Sequence, residues 1–134
     1  MLFRSFGGYI KVELQNMYGF PKELDLSSVV GEFTTQLRVG QFDLQFTFGP
    51  VSFAVQSPIS LFRNGELVAY WEEGKWPEPG FYDIMNCGVR RCEIVSDKLL
   101  VFEFENGLQM HLEDNSEYES MQIAIKGDPN TWIV

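Results

Sequence analysis

Histidine and cysteine are scarce in this sequence, with one His and two Cys among 134 residues. A zinc or redox centre needs several such ligands at short spacings, and Cys87 and Cys92, with four residues between them, do not form a C-x-x-C pair. They read as ordinary buried or half-buried thiols, and nothing resembles a disulfide framework. G-x-x-x-x-G-K-[ST], G-x-G-x-x-G and H-E-x-x-H are absent, and "EDNSEYE" lacks the central Gly and distal Glu of an EF-hand, so no metal or cofactor is expected. A Ser-His-acid arrangement would have to use His111. That residue falls mid-strand on a polar face between Gln109 and Glu113, away from any exposed nucleophile turn. The expectation is a protein that is not an enzyme.

Long apolar runs are missing too. No stretch reaches the roughly 20 residues of a membrane span, and the N-terminus lacks the continuous apolar region of a secretory signal. With the sparse cysteines, this places the expected location in the cytoplasm. Basic residues are outnumbered 10 to 19, giving a formal charge of −9. The excess is uneven: residues 1–75 carry a net −2 and residues 76–134 a net −7. Such a balance repels phosphate backbones, so direct nucleic-acid binding is not expected and a basic partner is favoured.

What is abundant is aromatic and alternating. Twelve Phe and 45% hydrophobic residues suit one packed domain over residues 1–134. Ile10, Val12 and Leu14 alternate with charged residues, and Phe33, Thr35, Leu37 and Val39 repeat the pattern. A period of two means strands with one buried face. Helical periodicity is confined to "PKELDLSSVVG" (21–31) and "PGFYDIMNCG" (79–88), each ending at a Gly stop.

One hairpin is written twice. A spacing of 56 residues pairs Val39, Leu44, Phe46 and Phe48 with Val95, Leu100, Phe102 and Phe104; beyond the turn, a spacing of 57 pairs Val51, Phe53 and Val55 with Leu108, Met110 and Leu112. Opposed residues of an antiparallel pair share a face, so Phe48 opposes Val51 across Gly49-Pro50, a type II′ signature. Phe104 opposes Leu108 across Glu105-Asn106-Gly107, a three-residue loop that needs a left-handed residue at Gly107. Further strands follow each hairpin: "ISLF" and "LVAYW" around the turn dipeptide Asn64-Gly65, and "ESMQIAI".

The expected fold is therefore mainly β (α+β). Two related β-meander halves, 21–70 and 79–126, each follow a short helix and pack through Phe-rich faces as a β-sandwich or strongly twisted sheet. In the second half, strands are expected at 89–95, 98–104, 108–113 and 119–125. The joining loop 71–80, "WEEGKWPEPG", is expected to put Trp71 and Trp76 near the surface.

The two hairpins differ on their outer faces. Asp43, Gln45, Thr47, Ser52, Ala54 and Gln56 make one nearly neutral, whereas Glu103, Glu105, Gln109, His111 and Glu113 make the other acidic. Like charges gathered on one face point to a neutralising partner. The acidic loop adds Asp114, Glu117 and Glu119. Tyr118, Trp71 and Trp76, with Glu72 and Glu73, supply aromatic anchors and further charge for such a contact.

"LLVFEFENGLQMHLEDNSEYESMQI", an L-x-F-x-F-x-N-G hairpin followed by an acidic loop and "YES", resembles a pattern in small bacterial immunity proteins of contact-dependent growth inhibition and related polymorphic toxin systems. The match spans about the last 45 residues, 89–134. The resemblance implies a protein that binds and neutralises one cognate toxin domain, often a basic nuclease, as a monomer in a 1:1 complex. It carries over no residue by position. The other reading of these residues is a non-catalytic β-scaffold for protein interaction.

Overall fold

In the computed structural model, which describes residues 19–114 and 119–134, alternation becomes strand as expected. The chain forms β1 (Thr34–Val39), β2 (Leu44–Phe48), β3 (Val51–Val55), β4 (Ile59–Arg63), β5 (Glu66–Trp71), β6 (Val89–Ser96), β7 (Leu99–Phe104), β8 (Leu108–Glu113), β9 (Met121–Ile125) and β10 (Thr131–Ile133). The strand expected at Ile10–Leu14 lies outside the described residues. Where helices are expected there are only 3-10 turns, Ser27–Val29 and Pro79–Ile84.

The strands make two antiparallel sheets, ordered β10-β9-β3-β2-β1 and β5-β4-β8-β7-β6. They pack as a β-sandwich through the Phe-rich faces. Phe48 of the first sheet stacks on Phe102 of the second at 5.0 Å, and Phe53 meets the same ring edge-on at 5.3 Å. Phe46, Phe48, Phe53, Phe102, Phe104 and Met110 are all buried. Each alternates with a polar residue because successive side chains of a strand leave on opposite faces.

The turns follow their residues. Gly49 has φ +57 and Phe48 faces Val51. Gly107 has φ +91, in a loop closed by the Gly107 N–H donating to Phe104 O at 3.0 Å. Asn64 and Gly65 both have positive φ, as a type I′ turn requires.

Connectivity departs from two self-contained meanders. After the first hairpin the chain leaves its sheet, and β4 pairs with β8, placing Ile59 opposite Leu112 and Leu61 opposite Met110. After the second hairpin it crosses the other way: β9 does not continue beside β8 but pairs with β3, with Met121 opposite Val55 and Ile123 opposite Phe53. The two exchanges are equivalent in position. Ile59 stands to Leu112 as Met121 stands to Val55, and among the described residues each sheet takes three strands from one half and two from the other. The crossing segments touch, since Gln56 N–H donates to Ser120 O at 2.7 Å.

Register also corrects the repeat at its first strand. Val39 opposes Leu44 and Ile94 opposes Leu100, so Val39 corresponds to Ile94 rather than Val95. The second half carries one further residue here, taken up by a bulge at Val95 near the end of β6, and Val95 is exposed. β1 and β6 both bulge near their starts, at Thr35 and Arg90. A bulge inverts alternation behind it, so Thr34 is buried while Phe33 is exposed. Phe33 and Gly88 form an antiparallel bridge between the two sheets.

Candidate protein-interaction face

The exchange assembles an outer surface that neither half holds alone. On the second sheet, cross-strand rows run Arg91, Glu103, Gln109, Phe62, Leu67 and, one step along, Glu93, Val101, His111, Ser60, Tyr70. The matching rows of the first sheet run, in the same order, Gln36, Thr47, Ser52, Ala124, Thr131 and Arg38, Gln45, Ala54, Gln122, Ile133.

Equivalent positions carry opposite shapes. His111 stands where the first sheet has Ala54, and Phe62 where it has Ala124. On the first sheet these small residues leave a shallow depression of about 150 Å³, bordered by Arg38, Gln45, Gln122 and Thr131. That is below the roughly 300–1,000 Å³ of small-molecule pockets. On the second sheet the same place is filled by the Phe62 and His111 rings, with centroids 4.6 Å apart. Leu67 and Tyr70 extend this apolar centre and are 56% and 37% exposed.

Carboxylates flank the rings. Tyr70 donates its hydroxyl to Glu72 at 3.4 Å. Burial first, then the charges of Glu72 and Glu113, hold the Tyr70 hydroxyl above its ordinary pKa. Burial lowers the pKa of His111, against the opposing pull of Glu113, so the ring is held towards its neutral form beside Phe62. At the far edge Glu103 is half-buried and accepts from Arg91 Nε at 3.3 Å; the same guanidinium also pairs with Glu93. Glu103 is thus partly neutralised within the chain.

Arg63, from β4, donates to Asn106 O at 2.8 Å, and Asn106 Nδ2 donates to Asp83 O at 3.0 Å. The β7–β8 turn is therefore braced by both halves, which fixes the exposed Glu105 over Gly88. A Cβ on Gly88 would stand 2.8 Å from the Glu105 carboxylate carbon.

Several expected contact residues are elsewhere. Trp71 is 1% exposed: β5 runs on to include it, alternation after Ala69 turns it inward, and its Nε1 donates to Lys75 O at 2.8 Å. The Asp114 side chain is fully buried, accepting from Ser120 Oγ at 2.9 Å with Lys98 Nζ 3.5 Å away. Desolvation raises its pKa, opposed by Ser120 and Lys98. Glu119 accepts from Gln122 Nε2 at 2.8 Å, which ties it to the outer row of the first sheet. Trp76 is 80% exposed and Glu73 is exposed, both in the linker. Glu117 and Tyr118 lie outside the described residues.

The sequence reading missed Phe62, Leu67 and Tyr70. A signal was present, because Phe62 falls on the polar phase of "ISLF" while Ile59 and Leu61 take the buried one. What local pattern does not carry is the identity of the strand beside it.

Among the described residues, no group of three or more His, Cys, Asp or Glu is placed to hold a metal ion, and no helix is long and apolar enough to cross a membrane. Compared with protein-family models, curated proteins and solved structures, the chain finds no match.

Proposed function

We propose that the chain is a non-catalytic binding protein whose second-sheet outer face docks a basic protein, and that its cognate partner is a toxin domain with a positive cleft, a nuclease above all. The observation that carries this reading is the Phe62–His111 pair. It is an aromatic centre on a sheet face, flanked by Tyr70, Leu67, Glu72 and Glu113, where the equivalent positions of the first sheet are Ala54 and Ala124. Tight interfaces combine buried aromatic anchors with a charged rim, the rim accelerating encounter and the anchors slowing release. An acidic inhibitor placed over a phosphate-binding cleft gains both, and the reading requires no chemistry from this chain.

The test is association kinetics, at two ionic strengths, with the toxin domain encoded beside this gene, together with rescue of growth. Glu72→Lys with Glu113→Lys should slow association and flatten its salt dependence. Phe62→Ala should instead speed dissociation, and Gln122→Lys on the first sheet should do neither. Unchanged kinetics in both second-sheet variants would move the interface elsewhere. A neighbouring gene that encodes no toxin would remove the immunity reading and leave the binding surface to be matched to another basic protein.

A further inference from the structure

Neither half of the chain owns a complete sheet. Residues before the linker supply β1, β2 and β3 to the first sheet and β4 and β5 to the second; residues after it supply β6, β7 and β8 to the second and β9 and β10 to the first. The contacts between halves are those of the core itself. They include Ile59–Leu112, Leu61–Met110, Met121–Val55 and Ile123–Phe53 along the strands, with Phe48 on Phe102 between the sheets.

By contrast, a short surface segment, residues 72–78, joins the halves. Glu73, Gly74, Lys75 and Trp76 are exposed, and nothing lies within 4 Å of a Cβ built on Gly74. Its hydrogen bonds stay within the segment or reach the adjoining end of β5: Lys75 N–H to Glu72 O at 3.2 Å, Trp71 Nε1 to Lys75 O at 2.8 Å, Tyr70 N–H to Glu78 Oε1 at 2.9 Å and Tyr70 hydroxyl to Glu72 at 3.4 Å, with an exposed Lys75–Glu72 ion pair at 3.5 Å. Straightening this segment would break these contacts and uncover Pro77, which is buried, but would leave the strand pairs and ring contacts between the halves unchanged.

We infer that this chain exchanges halves with a second copy of itself. Opening at residues 72–78 gives a dimer in which each sandwich combines the first half of one copy with the second half of the other. Every strand pair and ring contact between halves is then remade between copies, which is the condition for domain swapping at low cost. The closed monomer is favoured when dilute, because a short tether presents the second half at an effective concentration on the order of millimolar. Exchange after folding requires both sheets to come apart, so a dimer formed at high concentration persists on dilution. Each such dimer displays two copies of the second-sheet outer face. The inference rests on topology and holds whether or not that face binds a toxin.

The experiment uses the full chain with a site-specific protease sequence inserted after Gly74. It is refolded from denaturant at micromolar and at about millimolar concentration, then sized by light scattering. The expected result is monomer alone at the lower concentration and a dimer fraction at the higher one that survives dilution. Cleavage should halve the mass of that dimer, giving monomer-sized complexes of two fragments, whereas cleavage of the monomer should leave its mass unchanged. A dimer that keeps its mass after cleavage is an ordinary surface dimer and overturns the inference. So does refolding at high concentration that yields only monomer or only aggregate, or cleaved halves that separate from one another.

Discussion

Phe48 and Phe102 lie ring on ring across the sandwich, with centroids 5.0 Å apart and planes 25° from parallel. They come from different halves and different sheets, and both are fully buried. Replacing either by Ala should cost about 3–5 kcal/mol, because the cavity sits where surrounding rings pack rigidly. The double substitution should cost less than the two single effects added together, since both remove one contact. Denaturant melts of the four proteins of the cycle would check this, and strict additivity would show that the rings do not couple.

Gly107 has φ +91 and open space around its Cα, with only Arg63 Nη1 near, at 3.8 Å from an added Cβ. Backbone strain alone therefore opposes substitution. Gly107→Val should destabilise by about 1 kcal/mol or more, and Gly107→Asn by clearly less, because Asn tolerates the left-handed region. Equal melting temperatures for the two variants would contradict this account of the turn.

Asp114 gives a pH dependence of unusual sign. Burial raises its folded pKa above the ordinary 3.8. Between those two values the folded state binds more protons than the unfolded one, so this group's contribution to stability falls as pH rises through that window. Its cost is fully present above the folded pKa and absent below 3.8. Asp114→Asn keeps an acceptor for Ser120 without the buried charge. Its melting temperature relative to the parent should therefore be higher near neutral pH than at about pH 3.5. A difference that shrinks as pH rises would reverse the assignment.

Glu103 and Glu113 sit on the same face but in different electrostatic settings. Glu103 is held by Arg91, whereas Glu113 is exposed at the Tyr70 end. Glu113→Lys should slow association with a basic partner more than Glu103→Lys does. Glu103→Lys should in turn lose more stability, since it sets a second cation against Arg91. Stopped-flow association rates and thermal melts on both variants separate the two effects.

Cys92 faces inward opposite Phe102, and burial pushes its thiol pKa up to about 12. At about pH 8 roughly one molecule in 10⁴ then carries the reactive thiolate. Alkylation of Cys92 in the folded chain should be about three orders of magnitude slower than in the denatured chain. Mass spectrometry after timed iodoacetamide exposure reads this directly.

Strands, turns and the inward Phe faces were legible in the sequence because each depends on neighbours within a few residues. Alternation assigns Phe102 and Phe104 to one face, and Gly49-Pro50 and Gly107 close their hairpins in the only backbone regions those loops allow. Local pattern fails where the phase slips or the partner is distant. A bulge at Thr35 buries Thr34 in place of Phe33, and Trp71, two residues after the buried Ala69, keeps its inward phase and enters the core. The larger decision was the exchange. After residue 55 the apolar phase of Ile59 and Leu61 fits equally well beside β3 or across the sandwich beside β8, since both present an apolar inner row at the same pleat. Only the closing of two sheets around one Phe core selects the crossing. That choice puts Phe62 and Tyr70 of the first half beside His111 and Glu113 of the second, and it leaves Asp114 buried at the end of β8.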